Sequence, residues 1–311
     1  MGPVGSPPGG VDDGGRPDDA LGTDVPGILR AGRLPADALL TAGLRLRTES
    51  VRAADAGAGD GADAGSGAAG ADEDVVATLV FDRPDKLNAL PVALWRALPE
   101  ILRELDARRD VRALVLAGAG ENFSSGSDIA ELPADIAEFW EVNASALGAL
   151  HAVRVPTIAA VRGVGIGGGT ELAAACDIRI GQPGARFGIP AARLGLVYPP
   201  GPTRALAELI GPGRARYLIL TGEIIDADQA LAFGLIDEIA DDALARAMSL
   251  ARRVAGLSDL SQQGAKRILA GEDIEAPPLA GAFRSQLEGA RRAFAMKERP
   301  VFGFRRQDWP G

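Results

Sequence analysis

The period of the apolar positions changes along this chain, and each change marks an element. In residues 43–51, GLRLRTESV, Leu44 and Leu46 alternate with Arg45 and Arg47, the two-residue period of a half-buried strand. VVATLVF at 75–81 predicts a second strand. Residues 53–71 between them contain only Ala, Asp, Gly and Ser. Nothing there can pack, so the stretch is predicted to be a flexible insertion in the connection of one hairpin, and not a domain boundary. Trp95, Leu98, Ile101, Leu102 and Leu105 then fall at helical spacing, with Pro91 suited to the first turn. Strands are predicted at 111–118 and 157–163, and a helix from Thr170 to Cys176. Asp226 is placed to cap ADQALAFG, which Gly234 closes, with LIDEI following. Strands alternating with helices predict an α/β architecture. No fixed-period repeat is visible.

Residues 1–25 are rich in Gly, Pro and Asp, and the apolar residues at 26–42 are scattered. Residues 1–42 are therefore predicted to be a disordered or weakly ordered extension, and 43–311 the folded domain. Apolar residues make up 47% of 311, enough for a substantial core. Lys and Arg total 33 against 42 Asp and Glu, a net charge of −9 that disfavours nucleic-acid binding. It does not exclude one small anion held by local donors. The single cysteine, Cys176, excludes an intramolecular disulfide and a Cys-rich zinc site, and no metal site is expected. The first residues, MGPVGSPPGG, lack the basic and apolar regions of a signal peptide, and no apolar run reaches membrane-spanning length. The expected compartment is the cytoplasm.

The richest stretch is VRGVGIGGGTELAAACDIRI, residues 161–180. Gly163-x-Gly165-x-x-Gly168 fits a dinucleotide-binding fingerprint, with a strand before it and a helix after. The ribose-binding acid due about 20 residues later is missing, since IRIGQPGARFGIP at 178–190 contains no carboxylate. A second reading is a tight strand-to-helix crossing that needs small residues. A third is chemical. Glycines opening a helix expose backbone N–H groups to an oxyanion, and Glu171 lies within a turn of them. Donors beside a carboxylate suit enolate chemistry, in which the donors hold the developing oxygen and the carboxylate moves the proton. A second donor is offered by ENFSSGSDIAELP at 121–133, where Ser127 follows Gly126 just after the 111–118 strand. That segment also reads as an ordinary turn capped by Asp128.

Taken together, these stretches resemble the enoyl-CoA hydratase/isomerase (crotonase) superfamily. The resemblance runs from about Leu44 to Phe304. RPDKLNAL (83–90), FSSGSDI (123–129), PTIAAVRGVGIGGGTELAAACDIRI (156–180), LTGEIIDADQALAFGLIDEI (220–239) and EGARRAFAMKERPVF (288–302) carry it. It implies an α/β fold, a crotonase-like spiral of ββα units with a C-terminal helical region, assembled as a homotrimer or hexamer. It implies an acyl-CoA thioester as substrate, with coenzyme A part of that substrate and no separate cofactor. The thioester oxygen would sit between the N–H groups of Ser127 and Gly168. Asp128, Ile129 and Ala130 would contact the acyl-CoA, and Lys86 and Lys297 would face its phosphates, Lys297 from a neighbouring subunit.

Hydratases of this superfamily use two glutamates. The first maps onto Glu171, but the second position, directly after the proline of FGIPAARLG, is Ala191. One glutamate suits double-bond migration or a slower hydration. Members that decarboxylate methylmalonyl-CoA also lack the second glutamate, carry a tyrosine matching Tyr198 and share the Gly126–Pro133 run. Against that reading, they have histidine where this chain has Ser127. A non-catalytic acyl-CoA-binding protein is the alternative from another class. His151, the only histidine, is read as a helix-end residue, Cys176 as core, and Glu131 and Glu138 as a solvated helix face.

Overall fold

The computed structural model describes residues 43–51 and 73–310. The extension expected at 1–42 and the insertion expected at 53–71 lie outside the described residues. Two strands, β1 (Leu44–Ser50) and β2 (Val75–Phe81), open the fold and pair antiparallel along their full length, Leu44 opposite Phe81 and Ser50 opposite Val75. They are the two arms of the expected hairpin. Helix α1 (Val92–Ala107), β3 (Val111–Gly118), α2 (Ile136–His151) and β4 (Thr157–Val161) follow. Next come β5 (Val164–Ile166), α3 (Gly168–Ala174), β6 (Ile178–Gly181), β7 (Arg186–Gly188) and α4 (Ala191–Leu194). After α5 (Pro200–Ile210), α6 (Pro212–Thr221) and β8 (Ile225–Asp226) stand α7 (Ala227–Phe233) and β9 (Glu238–Ile239). Helices α8 (Ala243–Ala255), α9 (Asp259–Leu269) and α10 (Ala276–Met296) complete the order.

One sheet runs β1-β2-β3-β4-β6-β9 and is parallel from β2 onward, while β5, β7 and β8 form a second sheet. Parallel strands covered on both faces read as continuous apolar runs, and β3 is buried at all eight positions. Its side chains alternate between two cores. Leu114 and Leu116 join the main cluster with Leu94, Trp95 and Leu98 of α1, whereas Ala113, Val115 and Ala117 pack with Ala247 and Ala251 of α8.

Most predicted boundaries hold, and the differences have local causes. Asp226 caps α7 by accepting from the Gln229 N–H at 2.9 Å, and Gly234 closes it with φ 77°. Pro91 is the residue just before α1 and not its first helical position. The strand expected over 157–163 stops at Val161, because Gly163, at φ 52°, turns the chain into the second sheet. Helix α3 starts two residues before the expected Thr170, since Gly168 and Gly169 already take helical form. LIDEI contributes only Glu238–Ile239 as strand.

The end of the described chain is fastened to α1. Arg306, 1% exposed, opens a 3₁₀ turn, Arg306–Asp308. Its guanidinium donates to the carbonyls of Val111 (2.7 Å), Asp106 (3.0 Å) and Arg108, and its N–H donates to Asp259 Oδ2 (3.1 Å). Carbonyls at the end of a helix have no donor within it, so this one side chain satisfies several groups at once. Arg306→Met should remove the side-chain donor of the Val111 carbonyl, leave Asp106 and Arg108 only their weaker donors from Arg154 and Gln307, and lower stability by about 3 kcal/mol. A denaturant titration at neutral pH reads that as a lower midpoint with unchanged slope.

Candidate active site

Three loops meet at the carboxyl ends of β2, β3 and β5, and hydrogen bonds fix each against the next. After β2, Leu87 and Asn88 adopt φ of 52° and 55°. Buried Asn88 then donates to the carbonyls of Ala119 (2.9 Å) and Asn122 (2.6 Å) and accepts from the Arg83 N–H (2.9 Å). Ser124 Oγ donates to the Asn88 carbonyl at 2.8 Å and accepts from the Gly126 N–H at 3.1 Å. The loop after β3 is thereby held against the loop after β2.

A short parallel bridge orients Ser127. The Leu90 N–H donates to the Gly126 carbonyl and the Asp128 N–H to the Leu90 carbonyl, both at 2.8 Å. In this pattern the amide of Ser127 itself turns away from Leu90. On that other side lies Gly168, the first residue of α3, whose N–H belongs to the unpaired first turn. The two backbones approach so closely that a Cβ on Gly168 would stand 3.5 Å from Ser127 N and 2.7 Å from the Trp95 ring. A Cβ on Gly126 would lie 2.9 Å from Gly168 N. Trp95 also touches the other half, donating from Nε1 to Ser127 Oγ at 3.1 Å.

The glycines of the nucleotide-like fingerprint serve separate contacts. Gly163 turns between β4 and β5, Gly165 lies inside β5, and Gly168 meets Trp95. Only Gly168 opens the helix, so the three do not form one phosphate loop.

Glu171 sits in the first turn of α3 and is 6% exposed. Its carboxyl has one hydrogen bond, accepted by Oε2 from Asn143 Nδ2 at 3.3 Å. Burial pushes its pKa up to about 8, against the smaller downward pull of Asn143. Relative to a carboxyl in water, the neutral form is favoured by about 5 kcal/mol. Tyr198 stands beside it in the loop between α4 and α5. Its hydroxyl is 3.1 Å from where a Cβ on Gly167 would be, and its ring packs edge-on to Phe139. Burial, and then the Glu171 carboxylate, raise the phenol above its ordinary range. Ser127, Asn143, Trp95, Phe139 and Val142 line a cavity of about 10 Å³.

Lys86 and Asp128 are also brought together. Asp128 caps the 3₁₀ turn Ile129–Glu131 through the Ala130 N–H (3.3 Å) and pairs with Arg83 (3.1 Å) and Lys86 (3.4 Å). These cations and the backbone bond hold its carboxyl below the usual range, against partial desolvation. Ile129 is 62% exposed and Ala130 is open beside it. Lys297 caps α10 at φ 60°, exposed, with no side-chain hydrogen bond to any of these residues.

The remaining candidates stand outside this cluster. His151 is exposed in the last turn of α2, Cys176 is buried with its thiol pushed up to about 12, and Glu131 and Glu138 are exposed, Glu138 paired with Arg96. Ala191, 3% exposed, starts α4 within the main core, so no acid occupies that position. Trp95, Arg83 and Asn143 were not anticipated as site residues. The signal for Asn143 was present: Asn143, Ala146, Leu147 and Leu150 form one buried helical stripe with a single polar member.

The chain is similar to known proteins in both sequence and fold. A family model for enoyl-CoA hydratase/isomerase matches residues 71–283. A Mycobacterium leprae protein named "Probable enoyl-CoA hydratase echA8" is 38% identical over 199 residues, covering 61% of this chain and 76% of that one. The short-chain-enoyl-CoA hydratase of Clostridium acetobutylicum is 37% identical over 174 residues, covering 54% and 67%. A crystal structure of an enoyl-CoA hydratase/isomerase family protein from Hyphomonas neptunium superposes with a TM-score of 0.72 at 30% identity, over 86% of this chain and all 100% of that one. On the family match, the curated relatives and the shared crotonase fold, this chain belongs to the enoyl-CoA hydratase/isomerase family of enzymes.

Proposed function

We propose that the protein transforms an enoyl-CoA thioester through an enolate held by the N–H groups of Ser127 and Gly168, with Glu171 as its single acid/base. The observation that carries this reading is the buried Glu171 carboxyl, with a pKa near 8, in the first turn of a helix that opens on an unpaired glycine amide. For double-bond migration, the Glu171 carboxylate takes a proton from C2 of a 3-enoyl thioester. The C–H electrons move into the thioester, and its oxygen becomes the enolate held by the two amides. The enolate collapses to the 2-enoyl thioester as Glu171 returns the proton at C4. For hydration, Glu171 removes a proton from water as its oxygen bonds to C3, then delivers that proton to C2. Ala191 offers no second carboxyl, so one group performs both transfers. Lys86 and Lys297 are assigned to the coenzyme A phosphates.

Tyr198 supports a second reading, because its hydroxyl lies against the start of α3. Loss of carbon dioxide from a methylmalonyl-type thioester leaves its bonding electrons in a thioester enolate of the corresponding saturated acyl group without a base, and a tyrosine there suits a donor to the departing carboxylate. We also infer assembly into a trimer or hexamer. Phe283, Phe294 and Met296 of α10 are 60%, 73% and 61% exposed, apolar area suited to burial by a second copy.

Glu171→Gln should cut turnover at least about a hundredfold while acyl-CoA binding persists. Because burial raises this acid, its base form accumulates only as pH climbs. The kcat/KM for a 3-enoyl-CoA should therefore rise with pH to a half-maximum near 8, read from initial rates between pH 6 and 10. Incubation with crotonyl-CoA, a 3-enoyl-CoA and methylmalonyl-CoA in heavy water, followed by mass spectrometry, separates the two readings. Addition of heavy water to crotonyl-CoA, and to the 3-enoyl-CoA once it has isomerised to the 2-enoyl form, is expected; carbon dioxide loss alone would transfer the assignment to Tyr198 chemistry. Light scattering should give the mass of three or six chains, and Phe294→Asp should shift it downward.

A further inference from the structure

Asn143 has one polar atom in use and one idle. Its Nδ2 donates to Glu171, while its Oδ1 is buried without a hydrogen-bond partner among the described residues, on a residue only 2% exposed. A buried, unpaired amide oxygen costs stability, about 1–3 kcal/mol, so a fold that keeps one at its reacting carboxyl invites a functional account.

We propose that Asn143 is the positioning residue for Glu171 in both protonation states, donating through Nδ2 to the carboxylate and, after a half-turn of its amide, accepting through Oδ1 from the carboxylic acid. The inference rests on the single-glutamate reading above. A lone acid/base must take a proton and give the same proton back, so its partner has to suit a carboxylate and then a carboxylic acid. A cation would fit only the first state and a second carboxylate only the second. An amide presents a donor and an acceptor on one planar group and carries no charge in either step. The backbone of Asn143 is fixed within α2, and the amide faces the small cavity shared with Ser127, where the half-turn takes place.

Among the described residues, no other side chain hydrogen-bonds the Glu171 carboxyl. Helix α3 packs on β4, β5, α2 and α5. Strands β4 and β5 are TIAAV and VGI, without ionisable groups. On α2, Glu138, Glu141 and His151 are exposed, and on α5, Arg204 and Glu208 are exposed. On α1, Trp95 reaches Gly168 but is not ionisable, and Arg96 pairs with Glu138. In the loops, Asp128 is engaged by Arg83 and Lys86, and Tyr198 remains the ionisable neighbour whose phenol feels the carboxylate.

The test reads Glu171 directly, independent of turnover. Protein labelled with carbon-13 at the glutamate carboxyls is titrated by NMR, with the Glu171 signal assigned by its loss in Glu171→Gln. In wild type the midpoint should lie near 8. Asn143→Leu removes the donor and should move the midpoint up by about one pH unit. Asn143→Asp, which matches asparagine in shape, places a second carboxylate there and should move it up further. The rising limb of the pH–rate profile should move with both. Unchanged midpoints in the folded variants overturn the proposal, as does a loss of rate that is equal at every pH. A wild type that turns over no enoyl-CoA, with midpoints that still move, sinks the hydratase/isomerase reading and leaves the pairing of Asn143 with Glu171 standing.

Discussion

Two backbone hydrogen bonds to Leu90 set the direction of everything at this site. They treat residues 126–128 as one more strand on the edge of a loop, and the pleat of that strand turns the Ser127 amide outward. Around the bridge, the loops after β2 and β3 are tied together by Asn88 and Ser124, so the amide cannot swing without breaking several buried bonds. Electrostatic stabilisation of an enolate depends on such preorganisation, because donors already in place need no reorganisation as charge develops. The close approach of Gly168 is the other half of the same constraint, and it leaves no space for a side chain at that position.

The environment of Glu171 shows which physical effect dominates when few partners are supplied. Three or four donors around a carboxylate would outweigh burial and keep it charged. One amide at 3.3 Å does not, and desolvation prevails. The result is an acid held close to physiological pH, where taking and giving a proton cost similar amounts. That balance depends on the apolar packing of α2 and α5 around α3 as much as on the carboxyl itself.

Strands β2 and β3 were legible because sheets covered on both sides demand unbroken apolar runs, which are hard to mistake. The cap at Asp226 and the stop at Gly234 were legible because each follows from one residue's local chemistry. Glu171, Ser127 and Gly168 were found through their motifs, and the structure does bring them together. Trp95 was visible only as a core residue of α1. Its indole N–H pairs with a serine 32 positions away, a contact that helical periodicity cannot encode. Asn143 stood out as the one polar member of a buried stripe, but its partner, 28 residues on, could not be read from that pattern. The short reach of LIDEI as a strand depended on how much of β6 was left to pair, again a property of the assembled sheet.

The clasp between Arg306 and the end of α1 carries a consequence for the order in which the molecule is made. Its contacts join residues 195 to 201 positions apart. Helix α1, with Trp95 near its start, is synthesised well before Arg306: at its far end Arg154 gives the Asp106 carbonyl a first donor at 3.3 Å, and Arg306 later adds donors there and at Arg108 and Val111. A contact that steadies the helix bearing the indole against Ser127 and Gly168 thus spans 195 to 201 positions, so the rigidity of the site depends on a distant segment returning to the sheet.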